Sequence, residues 1–299
     1  VTAIPSFVTL YKSDGTTQVS VNGTVTAAEL QGLKYKTVAD ANGSGNLTWT
    51  VTDNGGGTNT LTENLSLTVS AVNDAPTGLG NLTLAAVTED TTNPAGAAIS
   101  ALTGLSFADV DASSSLGGVL VAGNTASSST EGVWQYSTNS GTNWFAIGTV
   151  ADNSTALALS ASTLVRFLPV TNYNGIPPSL TVRALDNTYA AGYSTTAGTE
   201  TRVTADAASN GTTTAISANT NTIGTSITAV NDTPGFTKGA NQTVSEDAGA
   251  QTATGWATSL SKGPANESGQ TLSFNVTNDN NGLFGNQPAI DSSGNLTYT

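Results

Sequence analysis

The chain has 299 residues, 8 of them Lys or Arg against 21 Asp or Glu, for a net charge of −13, and it contains no His and no Cys. Without imidazole or thiol there can be no Ser-His-Asp relay, no Cys-His pair, no disulfide and no imidazole or thiolate metal site. The few cations are scattered singly, so no basic patch exists for nucleic acid, and no apolar run approaches the roughly 18–20 residues of a membrane span.

The remaining composition fits a large extracellular protein better than a cytosolic enzyme. Charged residues make up only 10%, far below the roughly 25% usual in soluble domains, and Thr, Ser, Asn and Gly take their place. This balance points to an extracellular protein, secreted or at a cell surface. The chain begins Val-Thr-Ala, with no basic segment ahead of an apolar one, and contains no Met. It therefore reads as a fragment or a processed product without a signal peptide.

In chain order, the first signal is Thr26-Ala-Ala-Glu29-Leu30, a capping box opening about one helical turn. Leu47-Thr-Trp-Thr-Val-Thr and Leu65-Ser-Leu-Thr-Val then alternate apolar and polar residues, the period of a half-buried strand. Ala71-Val-Asn-Asp-Ala-Pro76 follows. Leu82-Thr-Leu, Val119-Leu-Val, Leu157-Ala-Leu, Val165-Arg-Phe and Leu180-Thr-Val-Arg-Ala are read by the same alternation rule as further half-buried strands, separated by clusters of Gly, Asn, Asp and Ser. Residues 204–226 are weakly periodic and predict either a long hairpin or a mobile loop. Ala229-Val-Asn-Asp-Thr-Pro234 repeats the earlier linker, and Val87-Thr-Glu-Asp90 returns as Val244-Ser-Glu-Asp247.

Leu33-Lys-Tyr-Lys36, Asn42-Gly43 and Leu47 through Asn54 lie over Val165-Arg-Phe-Leu168, Asn174-Gly175 and Leu180 through Asn187. Residues 1–72 thus match the second half of a repeat, 73–230 form a complete and enlarged repeat, and 231–299 are the first part of a third, truncated one. Proline ends the strand before each boundary, because it fixes its own φ and cannot donate to a ladder. The expected class is all-β.

The carboxylates follow an order that resembles cadherin repeats: Asn73-Asp74-Ala75-Pro76 at the linker, Val87-Thr88-Glu89 in the first strand, Asp109-Val110-Asp111, and Ala184-Leu185-Asp186 at a strand end. The unit is similar to the cadherin-like repeats found in tandem in large bacterial surface proteins and RTX-type adhesins. The resemblance implies tandem Ig/cadherin-like β-sandwiches forming an elongated rod, with Ca2+ caged at each joint. At the first junction it implies Asp74, Asp109, Asp111 and Asp186 as ligands, with Asn73 adding an oxygen and Asp40 completing the set. At the second, weaker junction Asn231 and Asp232 meet Glu89, and Glu267 stands in place of Asp-x-Asp; Asp53, matching Asp186, serves a junction further upstream. Calcium suits such a set because it takes six to eight oxygens from carboxylates, amides and backbone. Where the family has a further acid and an Asn, this chain has Ala71 and Ala75, which removes oxygens from the cage.

Asp109 and Asp111 are near enough for a glycosidase pair, but two acids on one turn beside a linker form ligand geometry more than cleft geometry, so no enzyme activity is expected. Ser137-x-Asn139-x-Gly141-x-x-Trp144 resembles the Asp-box turn of sialidase-type propellers, whose part is structural. It predicts Trp144 packed beneath the turn, and a glycan-stacking face only if Trp134, Tyr136 and Trp144 are exposed in one row. The leading expectation is a stalk segment of a bacterial adhesin or fibre, whose partners are neighbouring repeats of the same chain. The alternative is a self-assembling subunit of an extracellular filament or surface layer. A module binding cell-surface glycans is the third.

Overall fold

The computed structural model describes every residue of the chain except Thr58. Among the described residues 35% are in strands and 5% in helices. Among the described residues no helix is long and apolar enough to cross a membrane. Among the described residues strands pair only within 1–72, 73–230 and 231–299, not across these boundaries.

The first stretch contains strands β1 (Val8–Tyr11), β2 (Gln18–Val19) and β3 (Lys34–Thr37) in the order β2-β1-β3, together with a separate hairpin of β4 (Gly43–Thr52) and β5 (Thr60–Val69). Helix α1 (Ala27–Gln31) begins at the predicted capping box. The Glu29 amide donates to Thr26 Oγ1 at 3.2 Å and the Thr26 amide to Glu29 Oε2 at 2.8 Å, so two orphan donors of the first turn are satisfied. Lys12 adds an ion pair to Glu29 at 2.7 Å. With these bonds, the first of them to Lys12, the Glu29 carboxyl lies at about 2. Phe7, Val8, Leu10, Val19, Leu47 and Leu67 make the core here.

The middle stretch holds β6 (Leu82–Thr83), β7 (Val87–Thr88), β8 (Ala97–Ala98), β9 (Leu116–Gly123), β10 (Gly132–Ser137), β11 (Phe145–Ala146), β12 (Ala156–Ser160), β13 (Leu164–Pro169), β14 (Leu180–Asp186), β15 (Thr204–Ala205), β16 (Asn221–Gly224) and β17 (Ile227–Thr228). A four-stranded sheet, β11-β10-β13-β8, and a six-stranded sheet, β15-β12-β9-β14-β16-β6, share one hydrophobic core. Trp134, Tyr136, Val165 and Phe167 come from the first sheet. Val119, Val121, Leu157, Leu159, Leu180 and Val182 come from the second.

The six-stranded sheet is covered on its outer face as well. Leu120, Ala122, Ala156, Ala158 and Leu185 pack there against Ala207 and Ile216, which explains the unbroken apolar run Val119-Leu-Val-Ala122 where alternation was expected. Residues 204–226 are therefore neither one long hairpin nor a mobile loop. Ala207 and Ile216 anchor the segment onto the sheet, while its two ends add strands β15 and β16.

Arg183 crosses this outer face. Its Nε and Nη2 hold both oxygens of Asp152, at 2.7 and 2.6 Å, and its Nη1 donates to the Ser217 carbonyl at 3.0 Å. The guanidinium, by that bond, holds the Asp152 carboxyl below its usual range. This bond contributes stability above the ordinary carboxylate pKa and loses it as pH falls through the lowered folded value. Asp152→Ala leaves a largely buried cation short of its anion. The expected loss is about 2 kcal/mol, read as a lower urea midpoint at pH 7 and a smaller difference at pH 2.

The Trp hairpin follows the predicted turn chemistry. Ser137 Oγ accepts from the Gly141 amide at 3.0 Å, and Asn139 Oδ1 accepts from the Asn143 amide at 3.0 Å. Trp144 lies beneath Gly141, half-buried, with the Arg166 guanidinium 4.1 Å from its ring centroid. Gly96, at φ +71°, lets the backbone pass the indole, since a Cβ there would sit 2.7 Å from the ring. Trp134 and Tyr136 are completely buried. The exposed row of three aromatics that a sugar-stacking face needs does not form here, because β10 turns both rings into the core.

The last stretch is thinner: β18 (Gly235–Lys238) pairs with β20 (Ala257–Ser261), and β19 (Gln251–Ala253), β21 (Ala289–Ile290) and β22 (Leu296–Tyr298) form a second small sheet. Its aromatics meet in edge-on pairs, Phe236 with Phe274 and Phe284 with Tyr298, while Phe236 and Leu283 remain exposed.

Candidate functional site

Both linkers fold in the same way. Asn73 Nδ2 donates to the Asp74 carbonyl at 3.1 Å, and Asn231 Nδ2 donates to the Asp232 carbonyl at 2.9 Å. The Asp74 amide donates to Asp111 Oδ2 at 2.8 Å, and the Asp232 amide to Glu267 Oε1 at 2.8 Å. Glu267 thus holds the structural position of Asp111. In each case a linker backbone captures an acid from the following unit, and the linker's own carboxylate is left among other acids.

At the first junction Asp109 and Asp111 share one turn. The Asp111 amide donates to Asp109 Oδ1 at 2.9 Å, and Ser114 Oγ donates to Asp109 Oδ2 at 2.7 Å. Asp40, at φ +57° in the loop after β3, joins Asp74 and Asp111 around a cavity of about 240 Å³. Loss of hydration raises the Asp74 carboxyl above the usual range, and the charges of Asp40, Asp111 and Asp109 raise it further.

Asp186 is fully buried at the end of β14 and reaches this group through Asn73, whose Nδ2 donates to Asp186 Oδ2 at 3.1 Å. Its other oxygen accepts from the Thr188 amide and hydroxyl at 2.7 and 2.6 Å. Asn73 therefore presents its amide nitrogen to Asp186, although an oxygen was expected of it. Asp53, the counterpart of Asp186, caps its own turn by accepting from the Gly55 amide at 2.8 Å.

At the second junction Glu89 is almost completely buried. Its Oε1 accepts from the Val230 amide at 2.7 Å and its Oε2 from Asn174 Nδ2 at 3.0 Å, with Asn266 Nδ2 at 3.3–3.4 Å from both oxygens. Asn231, Asn266, Glu267 and Asn174 line a cavity of about 270 Å³. Gly263, at φ +127°, lies under Glu267, where a Cβ would overlap the carboxylate.

Two oxygens here, Asp232 Oδ2 and Glu267 Oε2, are buried without a hydrogen-bond partner. Burial raises the Asp232 carboxyl, and Asp90, Glu267 and Glu89 add to the rise. An orphaned buried carboxylate oxygen is costly unless it meets a proton or a cation, so this residue set fits a hard cation in donor chemistry.

Sequence reasoning missed Asp90, Asn174 and Asn266. Asp90 accepts from the Asn172 amide at 2.8 Å and faces Asp232. The signal for Asn174 was its match with Asn42, which lines the first cavity. Among the described residues no three Asp or Glu side chains stand close enough to form a ready-made metal cluster. No protein-family model matches the chain, and no curated protein matches it.

Proposed function

We propose that the chain is a structural stalk segment of a secreted or cell-surface bacterial adhesin or fibre. Its β-sandwich units of Ig/cadherin-like type stack into a rod, and calcium at the two junctions fixes the angle between neighbours. The observation carrying this reading is the repeated junction: in both linkers an Asp is held by its backbone to an acid of the next unit, while burial, and after it acids from separate segments, raise its own carboxyl. Asp74, Asp40 and Asp111 would hold the ion at the first junction, with Asp109 and Asn73 ordering them. Asp232, Glu267 and Glu89 would do so at the second.

Calcium supplies neutralising charge there. A ligand that binds only the native state stabilises it by about 2.7 kcal/mol at a hundredfold excess over Kd. Millimolar calcium should raise the melting temperature and lengthen the particle in small-angle scattering, and chelator should reverse both. Asp109→Ala combined with Asp111→Ala should remove the gain at the first junction, and Glu267→Ala only that at the second. Identical melting curves in calcium and in chelator would end the calcium reading.

A further inference from the structure

The middle unit is entered and left through two segments that lie side by side. Residues 82–89 follow the first linker and residues 222–230 lead into the second. They run parallel: β6 pairs with β16 through Leu82↔Ile223 and Thr83↔Gly224, and β7 with β17 through Val87↔Ile227 and Thr88↔Thr228. Around these pairs the Leu84 amide donates to the Gly224 carbonyl at 2.8 Å, the Val87 amide to the Ser226 carbonyl at 3.2 Å and the Glu89 amide to the Thr228 carbonyl at 2.9 Å. Side chains add rungs. Asn81 Oδ1 accepts from the Thr222 amide at 3.1 Å, Thr225 Oγ1 donates to the Ala85 carbonyl at 3.3 Å, and Glu89 Oε1 accepts from the Val230 amide at 2.7 Å.

Both segments start at the first junction and end at the second. At their start Asn219 Nδ2 donates to the Thr77 carbonyl at 3.2 Å, and at their end Glu89 meets Val230 and Asn266 of the following stretch. Tension along the chain draws residue 77 back toward the first linker and residue 230 forward into the second. The two segments are then pulled past each other along their length, and the rungs between them carry the load together. Load on two strand ends at the same side would instead open the ladder one rung at a time. Leu82, Leu84, Thr225, Ile223 and Ile227 are buried along the ladder, so a stretched bond finds no water to replace its partner. On the other side Thr83 exchanges two bonds with Thr103, at 2.8 and 3.2 Å, which keeps the first segment from swinging outward.

We propose that residues 82–89 and 222–230 form a shear clamp through which the middle unit transmits tension between its neighbours without unfolding. The source of that tension is the stalk reading, on which this inference rests. The clamp itself is built of hydrogen bonds and needs no ion. What it raises is the barrier to forced unfolding, which is set by the unfolding rate and not by equilibrium stability.

The chain contains no Cys, so thiol handles attach only where one is introduced. Thr77→Cys with Ala229→Cys loads opposite ends of the ladder, and Thr77→Cys with Thr220→Cys loads the same end; all three positions are exposed. Both double variants of the full chain are held at one constant force in an optical trap, in chelator. The first should unfold at least about tenfold more slowly, because each further rung broken in the same step slows it by about that much. Val87→Pro deletes the donor to Ser226, far from the 77–220 end. Added to the first pair it should speed unfolding by about tenfold, and added to the second it should leave the rate unchanged. The comparison of the two handle pairs leaves the ladder intact, so it decides the matter even where the Pro variant fails to fold. Equal rates for the two pairs, or a folded Val87→Pro chain that resists shear as its parent does, would overturn the clamp. Melting curves indifferent to calcium would end the ion at the junctions and leave this result standing.

Discussion

Trp134→Ala should lower the unfolding free energy of the middle unit by about 3–5 kcal/mol, the range for truncating a large buried aromatic. The ring is completely buried between the two sheets, packs edge-on against Phe167 with centroids 5.2 Å apart, and its Nε1 donates to the Pro178 carbonyl at 2.9 Å. Alanine removes three things together: the apolar area, the aromatic pair and the donor that satisfies a carbonyl. Trp134→Phe keeps most of the first two and should cost less, which separates packing from the lost hydrogen bond. In a unit of this size each kcal/mol moves the melting temperature by about 2–4 °C, so the transition of the middle unit should fall by at least about 6 °C. The first stretch has its own core around Phe7 and Leu10, and its transition should not move. An unchanged midpoint for the middle unit would mean that the two sheets do not share the core described above.

What was legible in the sequence follows from how locally each feature is encoded. The strands at Leu47–Thr52 and Leu65–Val69 could be read because one face of the hairpin they belong to is polar along its whole length, so the period of two survives, whereas their pairing and their extension to Gly43 and Thr60 were not read. The Thr26–Glu29 cap and the Ser137–Asn139 turn depend on contacts a few residues apart. β9 broke the alternation because both of its faces are covered, one by the segment around Ile216, almost a hundred residues further on, and no local pattern announces such a cover. The junctions were legible as repeated linkers, yet the part played by each atom was not. Asp186 and Asn73 were expected to offer oxygens to one point, but an amide nitrogen lies between them. Asn174 and Asn266 went unnoticed because a neutral donor binding a buried Glu89 carries no acidic signature.

Asp232→Asn should change the sign of its effect on stability with the presence of calcium. Without a cation, burial first and then the charges of Asp90, Glu267 and Glu89 raise the folded pKa of Asp232 above its unfolded value. The folded state then holds more protons than the unfolded state between those two values, so stability falls as pH rises across that window, and the penalty is fully present above it. In chelator at pH 7 the wild type carries that penalty. Asparagine removes the charge at constant shape, and its amide can donate where Asp232 Oδ2 and Glu267 Oε2 now lack a partner. The variant should therefore melt higher than the wild type in chelator at pH 7, with the difference shrinking as pH approaches 4. In millimolar calcium the order should reverse, because the wild-type carboxylate meets a divalent ion whereas the amide offers one neutral oxygen. Asp74→Asn should behave alike at the first junction, where Asp40, Asp111 and Asp109 take the place of those neighbours. A variant that melts lower in both conditions would make Asp232 a plain structural cap, and one that melts higher in both would mean that the second junction does not bind the ion.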